Sequence, residues 1–307
     1  MLAEAGGGDR RPAPAISTAI VGAEVGPVTH TVDARWLMAY AAGLGETDPR
    51  FYDTCAPGGP LAHPVFPVCY EWPVALAIRD ALIDRALAPF SVHATHHLLV
   101  HRRPRAGDTL LTTARVVAVS PRRAGTLVVT RFSTLDDRGA AVSTTDYGSV
   151  YRGVTCDGEN SVVSADVGAW TSRHPRHTDP PRDNVTSAGA RAAWTDVIDV
   201  AAGTAHIYSE CARIWNPIHT DVAVAAGAGL PGLILHGTAT LALAVSRIMR
   251  HAGDPRRVRE LGARFTGVVA MPSRLTMLSR RAGADRIEFE LRGTDGTAVL
   301  SDGWLSS

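Results

Sequence analysis

The sequence predicts an α+β fold built twice in tandem, and three observations predict it. The segment from Tyr40 to Asp53 lies over the segment from Tyr208 to Asp221 at a constant offset (208 − 40 = 168, 217 − 49 = 168, 221 − 53 = 168), with Tyr, Pro and Asp identical. An apolar helical pattern follows each copy, after Leu61-Ala-His63-Pro64 in the first and after Leu233-Ile-Leu235-His236 in the second, at offset 172. Strand-like runs follow each helix. Matches in order, spacing and element type indicate one unit repeated.

Residues 1–15 read as a flexible Gly/Pro/Ala-rich tail. The first repeat spans 16–153. Its helix runs within Val65 to Leu87 and carries Glu71 and Asp80; Pro73 interrupts it, which places Glu71 near a kink and partly exposed, and Arg79 sits close enough to pair with Asp80. Extended segments follow at Val92 to His101 and Thr109 to Val119. By strand alternation His93, His97 and His101 share one face and His96 takes the other, so a groove-lining or surface role fits them better than a metal site. Residues 154–190 read as a linker, rich in Asp, Gly, Pro and Arg and containing His174 and His177. The second repeat spans 191–307, with strands expected at Leu261 to Val269 and Leu275 to Arg280.

The second repeat carries the chemistry. Asn216-Pro217 is a turn signal, because Pro217 fixes its own φ and biases Asn216 away from helix. His219 then sits at a rigid place. About 16 residues later comes Leu235-His236-Gly237, where Gly237 opens a helix that is apolar on nearly every side until Arg247. Unpartnered N–H groups at such a start can polarise a carbonyl or hold an enolate oxygen, and glycine leaves room for a ligand.

The Asn216-Pro217-Ile218-His219 string with Leu235-His236-Gly237 resembles the MaoC-like dehydratases, a family that includes (R)-specific enoyl-CoA hydratases. The resemblance covers about residues 16–153 and 190–307. It implies a double hot-dog, each half an antiparallel sheet wrapped around a long central helix, with no cofactor. It also implies an acyl thioester, carried on CoA or on an acyl carrier protein, as substrate. His219 would be the base, Asn216 the holder of the loop and the Gly237 N–H the partner of the thioester carbonyl. Phe51 stands at the first repeat's histidine position, so that half is the degenerate one, free to line the acyl chain. One residue departs from the motif: the Asp two places before the Asn is Ile214. Its first-repeat counterpart, Glu46, lies in the half without the histidine. Asp221 is the candidate substitute, to orient the imidazole or act as second group, although its recurrence as Asp53 equally fits a turn cap. Trp215, Ile214, Tyr208 and His236 complete the expected substrate-binding set. The resulting expectation is a hydro-lyase. The alternatives are a cyclase or isomerase of a polyketide-like intermediate, a non-catalytic acyl-binding protein, and thioester hydrolysis resting on Glu71.

Composition narrows the classes. The net charge is +1 with 20% charged residues, which argues against nucleic acid as partner. No lysine occurs, which excludes Schiff-base chemistry and leaves phosphate recognition to arginine. Candidate clusters are Arg102, Arg103 and Arg105; Arg122 and Arg123; and Arg256, Arg257 and Arg259. Cys55, Cys69, Cys156 and Cys211 show no paired spacing and read as reduced thiols. No run approaches the roughly 18 apolar residues of a membrane span, and no leader is evident, so a cytoplasmic protein is expected. Exposed sheet faces leave a homodimer open.

Overall fold

The structure is a computed structural model that describes residues 14–163, 194–252 and 254–307. The first half runs β1 (Ala15–Ser17), β2 (Glu24–Thr31), α1 (Ala34–Gly43), α2 (Pro67–Leu82), β3 (Ser91–Val100), β4 (Thr109–Arg122), β5 (Gly125–Asp136), β6 (Ala141–Arg152), β7 (Thr155–Asp157) and β8 (Ser161–Val162). The second runs β9 (Trp194–Val200), α3 (Thr204–Ala212), α4 (Val222–Gly227), α5 (Gly237–Ala252), β10 (Glu260–Phe265), β11 (Ser273–Arg281), β12 (Arg286–Arg292) and β13 (Ala298–Ser306).

The sheet order is β2-β4-β5-β6-β3-β10-β13-β12-β11-β9, with β8 added on β4. Read from its two ends the order is the same, so the two halves repeat one topology and meet where β3 pairs antiparallel with β10. Two central helices of 16 residues, α2 and α5, lie against this sheet. In α5 the buried positions include Leu241, Ala242, Val245 and Ile248, large and small residues together. A single core cluster joins Trp36, Tyr40 and Phe66 of the first half to Tyr208, Leu241 and Ile248 of the second. The repeated tyrosines touch each other, Tyr40 against Tyr208 at 5.8 Å between ring centres. Helices α1 and α3 cross closely beside them. A Cβ at Gly43 would lie 2.9 Å from the Cys211 Cβ, so only glycine fits.

Four expectations change. The stretch read as a linker is structured at its start: β7 pairs parallel with β1 and β8 antiparallel with β4, because Thr155-Cys156 and Ser161-Val162 alternate well enough to close sheet edges. The remainder, with His174 and His177, lies outside the described residues, as do residues 1–13. Ala15, taken as tail, belongs to β1.

Glu71 is buried, not partly exposed. Helix α2 continues through Pro73, and the sheet encloses the turn that holds Glu71. The histidine faces also differ. Register slips between His93 and Thr95 against β6, leaving Ala94 as an extra residue. Alternation therefore shifts by one, and His93 joins His96, their rings 5.4 Å apart. His97 pairs with Glu260 at 2.7 Å instead.

Candidate active site

His219 ends a short 3-10 turn, Pro217–His219, whose cap is Asn216. The Asn216 side-chain oxygen accepts from the Ile218 N–H at 3.5 Å, and the His219 N–H donates to the Asn216 carbonyl at 3.1 Å. Pro217 needs no donor at the first position of that turn. The imidazole Nδ1 donates to the Ile234 carbonyl at 2.9 Å, which leaves Nε2 as the unprotonated nitrogen. Ile234 is itself pinned by a bridge to Ala270, and Leu235 N–H donates to Val269. The orienting partner of His219 is thus a backbone carbonyl rather than Asp221. Asp221 accepts from the N–H groups of Ala223 and Val224 at 2.8 and 3.2 Å, capping α4. Asp53 does the same for Cys55 and Ala56, so the recurrence of this aspartate records a repeated cap.

His236 stacks on His219 with ring centres 3.7 Å apart and receives the Ser209 hydroxyl at Nε2, 3.2 Å away. Burial, partly opposed by the hydrogen bond to the Ile234 carbonyl, brings the His219 pKa down to about 4. Burial and then the His219 charge push His236 well below its ordinary value. Both rings are therefore neutral near pH 7. Among the described residues no carboxylate bonds either ring.

Gly237 opens α5 directly after His236 and stays partly exposed. Tyr208 donates to the Thr238 hydroxyl at 3.0 Å and so fixes the first turn of α5 to α3. The ring of Tyr208 is fully buried, 5.0 Å from His236. Ile214, in the place of the motif's acid, is buried in the core. Trp215 points outward: it is 59% exposed and its indole donates to Glu210, so it covers no buried pocket. Phe51 lies in the other half, against His63.

Sequence reasoning did not place His93 in this site, and the structure brings it there. A Cβ built on Gly237 would lie 3.5 Å from His93 Nδ1 and 3.3 Å from the Phe265 ring. His93 stacks on Tyr147 at 3.8 Å and on Phe265 at 4.3 Å. Its Nε2 donates to the Thr95 carbonyl at 3.0 Å, which turns the bare Nδ1 toward the helix start. Burial, then the neighbouring His96, lowers its pKa well below the usual value. The only signal was the histidine-rich run itself, since the bulge that aims it leaves no mark in strand alternation. Glu46, the acid of the other half, does not meet His219. It lies 3.7 Å from His63. Among the described residues no group of three or more His, Cys, Asp or Glu is arranged to hold a metal, and no helix is long and apolar enough to cross a membrane.

Comparison with known proteins places the two halves among dehydratase-type domains. Residues 194–301 match the MaoC like domain, and residues 19–145 match the FAS1-like dehydratase domain region. Fatty acid synthase subunit beta of Aspergillus oryzae is 38% identical over 76 residues, 24% of this chain and 4% of that protein. The match thus spans a small fraction of the curated synthase subunits it resembles. A MaoC-like dehydratase from Phytophthora capsici superposes with a TM-score of 0.75 at 21% identity, covering 93% of this chain and 95% of the other. A conserved protein from Mycobacterium tuberculosis described as a double hot-dog superposes at 0.59 and 18% identity, covering 93% and 95%. Residues 194–301, which hold the buried turn histidine and the glycine-started helix, thus match the MaoC like domain, within a chain that has the double hot-dog fold.

Proposed function

We propose that the protein is a hydro-lyase that interconverts a β-hydroxyacyl thioester and its enoyl thioester. Dehydratase-type domains match both halves of the chain, and the observation that carries the reading is the placement of His219. Its Nδ1–H is committed to Ile234, its Nε2 is bare, and it stands beside the open start of α5. The thioester carbonyl accepts from the Gly237 N–H, so that charge developing there is met by the helix terminus. His219 Nε2 takes the α-proton and delivers it to the departing β-hydroxyl, which leaves as water while the Cα–Cβ double bond forms. Asn216 keeps the turn in register for this step. With Ile214 in place of the acid, the second contact to the hydroxyl falls to His93 Nδ1, which accepts its O–H and fixes its direction. The substrate is an acyl thioester of CoA or of a carrier protein. Residues 16–153 act as the degenerate repeat and 191–307 as the active one.

Hydration of crotonyl-CoA and longer enoyl-CoAs tests this. His219→Ala is expected to lower kcat/KM by about 10²–10⁴-fold, the usual worth of a positioned proton-transfer group. The base works only when neutral, so activity should fall as pH drops through about 4 rather than through the ordinary histidine value of 6.5. Unchanged turnover in the variant would remove the proposal. A second reading, a cyclase or isomerase with one base, is favoured by the apolar ring cluster of His93, Tyr147 and Phe265 over Gly237. It predicts no hydration at any chain length.

A further inference from the structure

The geometry points to a second ligand site, for a nucleotide-like molecule with two or more phosphates, in the arginine-lined cleft between first-half residues 50–62 and 102–105 and Arg256 and Arg259 of the second. The cleft is about 460 Å³, within the roughly 300–1,000 Å³ of small-molecule sites. Arg50, Arg102, Arg103, Arg105, Arg256 and Arg259 line it, together with the 56–62 loop. Two sequence clusters separated by some 150 residues, read separately as phosphate candidates, converge there.

The charges do not balance. Arg50 pairs with Asp48 at 2.5 Å and Asp254 at 2.9 Å, Arg256 pairs with Asp254 at 2.8 Å, and Arg102 pairs with Asp108 and Asp136 at 2.7 and 2.9 Å. Among the described residues Arg103 bonds only to backbone carbonyls, those of Ala62, Pro255 and Val258, and its buried Nε has no partner. Arg105 and Arg259 make no ion pair among the described residues. Three guanidinium groups thus share one concavity without a carboxylate between them. Burial first, then the neighbouring Arg259, holds the Arg103 pKa down to about 10, partly opposed by Asp254. Asp53 is the single acid in the lining, and its Oδ1 already accepts the Cys55 and Ala56 N–H groups. Guanidinium forks match phosphate oxygens bidentately, and those of Arg105 and Arg259, with the Arg103 charge beside them, fit a ligand with more than one phosphate.

The cleft takes Arg50 to Arg105 from the first half and Arg256 and Arg259 from the second, and neither His219 nor Gly237 lines it. It goes beyond the proposed reaction and stands if that reaction is wrong. The shared chemistry is that of a nucleoside diphosphate or of the nucleotide end of CoA. Calorimetric titration of the full chain with inorganic pyrophosphate, ADP and CoA tests it, at low and at physiological salt. One molecule of pyrophosphate or ADP is expected to bind per chain. Arg105→Ala and Arg259→Ala are each expected to weaken binding about tenfold, the scale of a lost charge-assisted contact. Arg123→Ala should leave it unchanged. CoA binding tighter than ADP assigns the CoA handle, and equal binding assigns a nucleoside diphosphate; either supports the site. Absence of binding by all three probes, or equal weakening by Arg123→Ala, overturns it.

Discussion

The two half-sites of this protein are built on one plan and differ where it matters for chemistry. In the second half an imidazole stacks on an imidazole, His219 on His236 at 3.7 Å. In the first, Phe51 faces His63 at 6.0 Å, so the ring that faces His63 has no nitrogen to move a proton. The helix starts differ as well. Helix α5 begins with Gly237, partly exposed and carrying an N–H. Helix α2 begins with Pro67, which has none, and the N–H groups of Val65 and Phe66 are spent on His63. His63 is further tied by its Nε2 to Ser246 at 3.2 Å, and its pKa is driven down to about 3 by burial and then by Arg103. The first half thus has packing where the second presents an imidazole and a helix-start N–H.

The contrast can be broken deliberately. Gly237→Pro gives the second half the start of the first, and the expected loss in kcat is about 10²–10³-fold, the scale of one missing oxyanion donor. Gly237→Ala separates donor loss from crowding, since it keeps the N–H while placing a Cβ 3.3 Å from the Phe265 ring. If both variants lose the same activity, crowding rather than the donor explains it. In the inert half, His63→Ala should leave kcat within about twofold and lower stability by about 1–3 kcal/mol, the usual result of emptying a buried hydrogen-bonded site. Thermal unfolding and enoyl-CoA hydration read the two effects separately, and a large fall in kcat would show that the halves are functionally coupled.

The smallest expected effect concerns Glu71, a carboxyl of the first half's central helix. Burial raises its pKa from 4.5 to about 8, partly opposed by the Thr145 hydroxyl donating to it at 2.6 Å. A raised folded-state value gives stability that is complete below pH 4.5 and is lost as pH rises through about 8. Glu71→Gln should remove this dependence, so its melting temperature should exceed that of the wild type by a few degrees above pH 8 and not at pH 5. Equal pH profiles for the two proteins would show that Glu71 does not titrate in this window.

Much of this was legible in the chain. The 168-residue repeat, the Asn216-Pro217 turn and the helix from Gly237 were visible because local chemistry sets them: a proline, a capping amide and an unbroken apolar run. The pairing of equivalent residues was legible only to within a residue, since the ring that matches His236 is His63, one position from its alignment at offset 172. What stayed hidden depends on non-local geometry. A single-residue bulge at Ala94 turned His93 toward Gly237, and strand alternation cannot register an inserted residue. Glu71 was misplaced because Pro73 suggested a break, whereas the enclosing sheet holds the helix through it. The arginine cleft was invisible as a cleft, because its two walls lie far apart in sequence.

The β3–β10 pairing makes this chain indivisible. His93 reaches the second half's helix from a strand of the first, and each half shields the other's central sheet edge. Cutting the chain into its repeats would expose two bare hydrogen-bonding edges, each a template for aggregation. Neither fragment would hold a complete site. Duplication here did not yield two interchangeable modules; it yielded one sheet in which each copy completes the other.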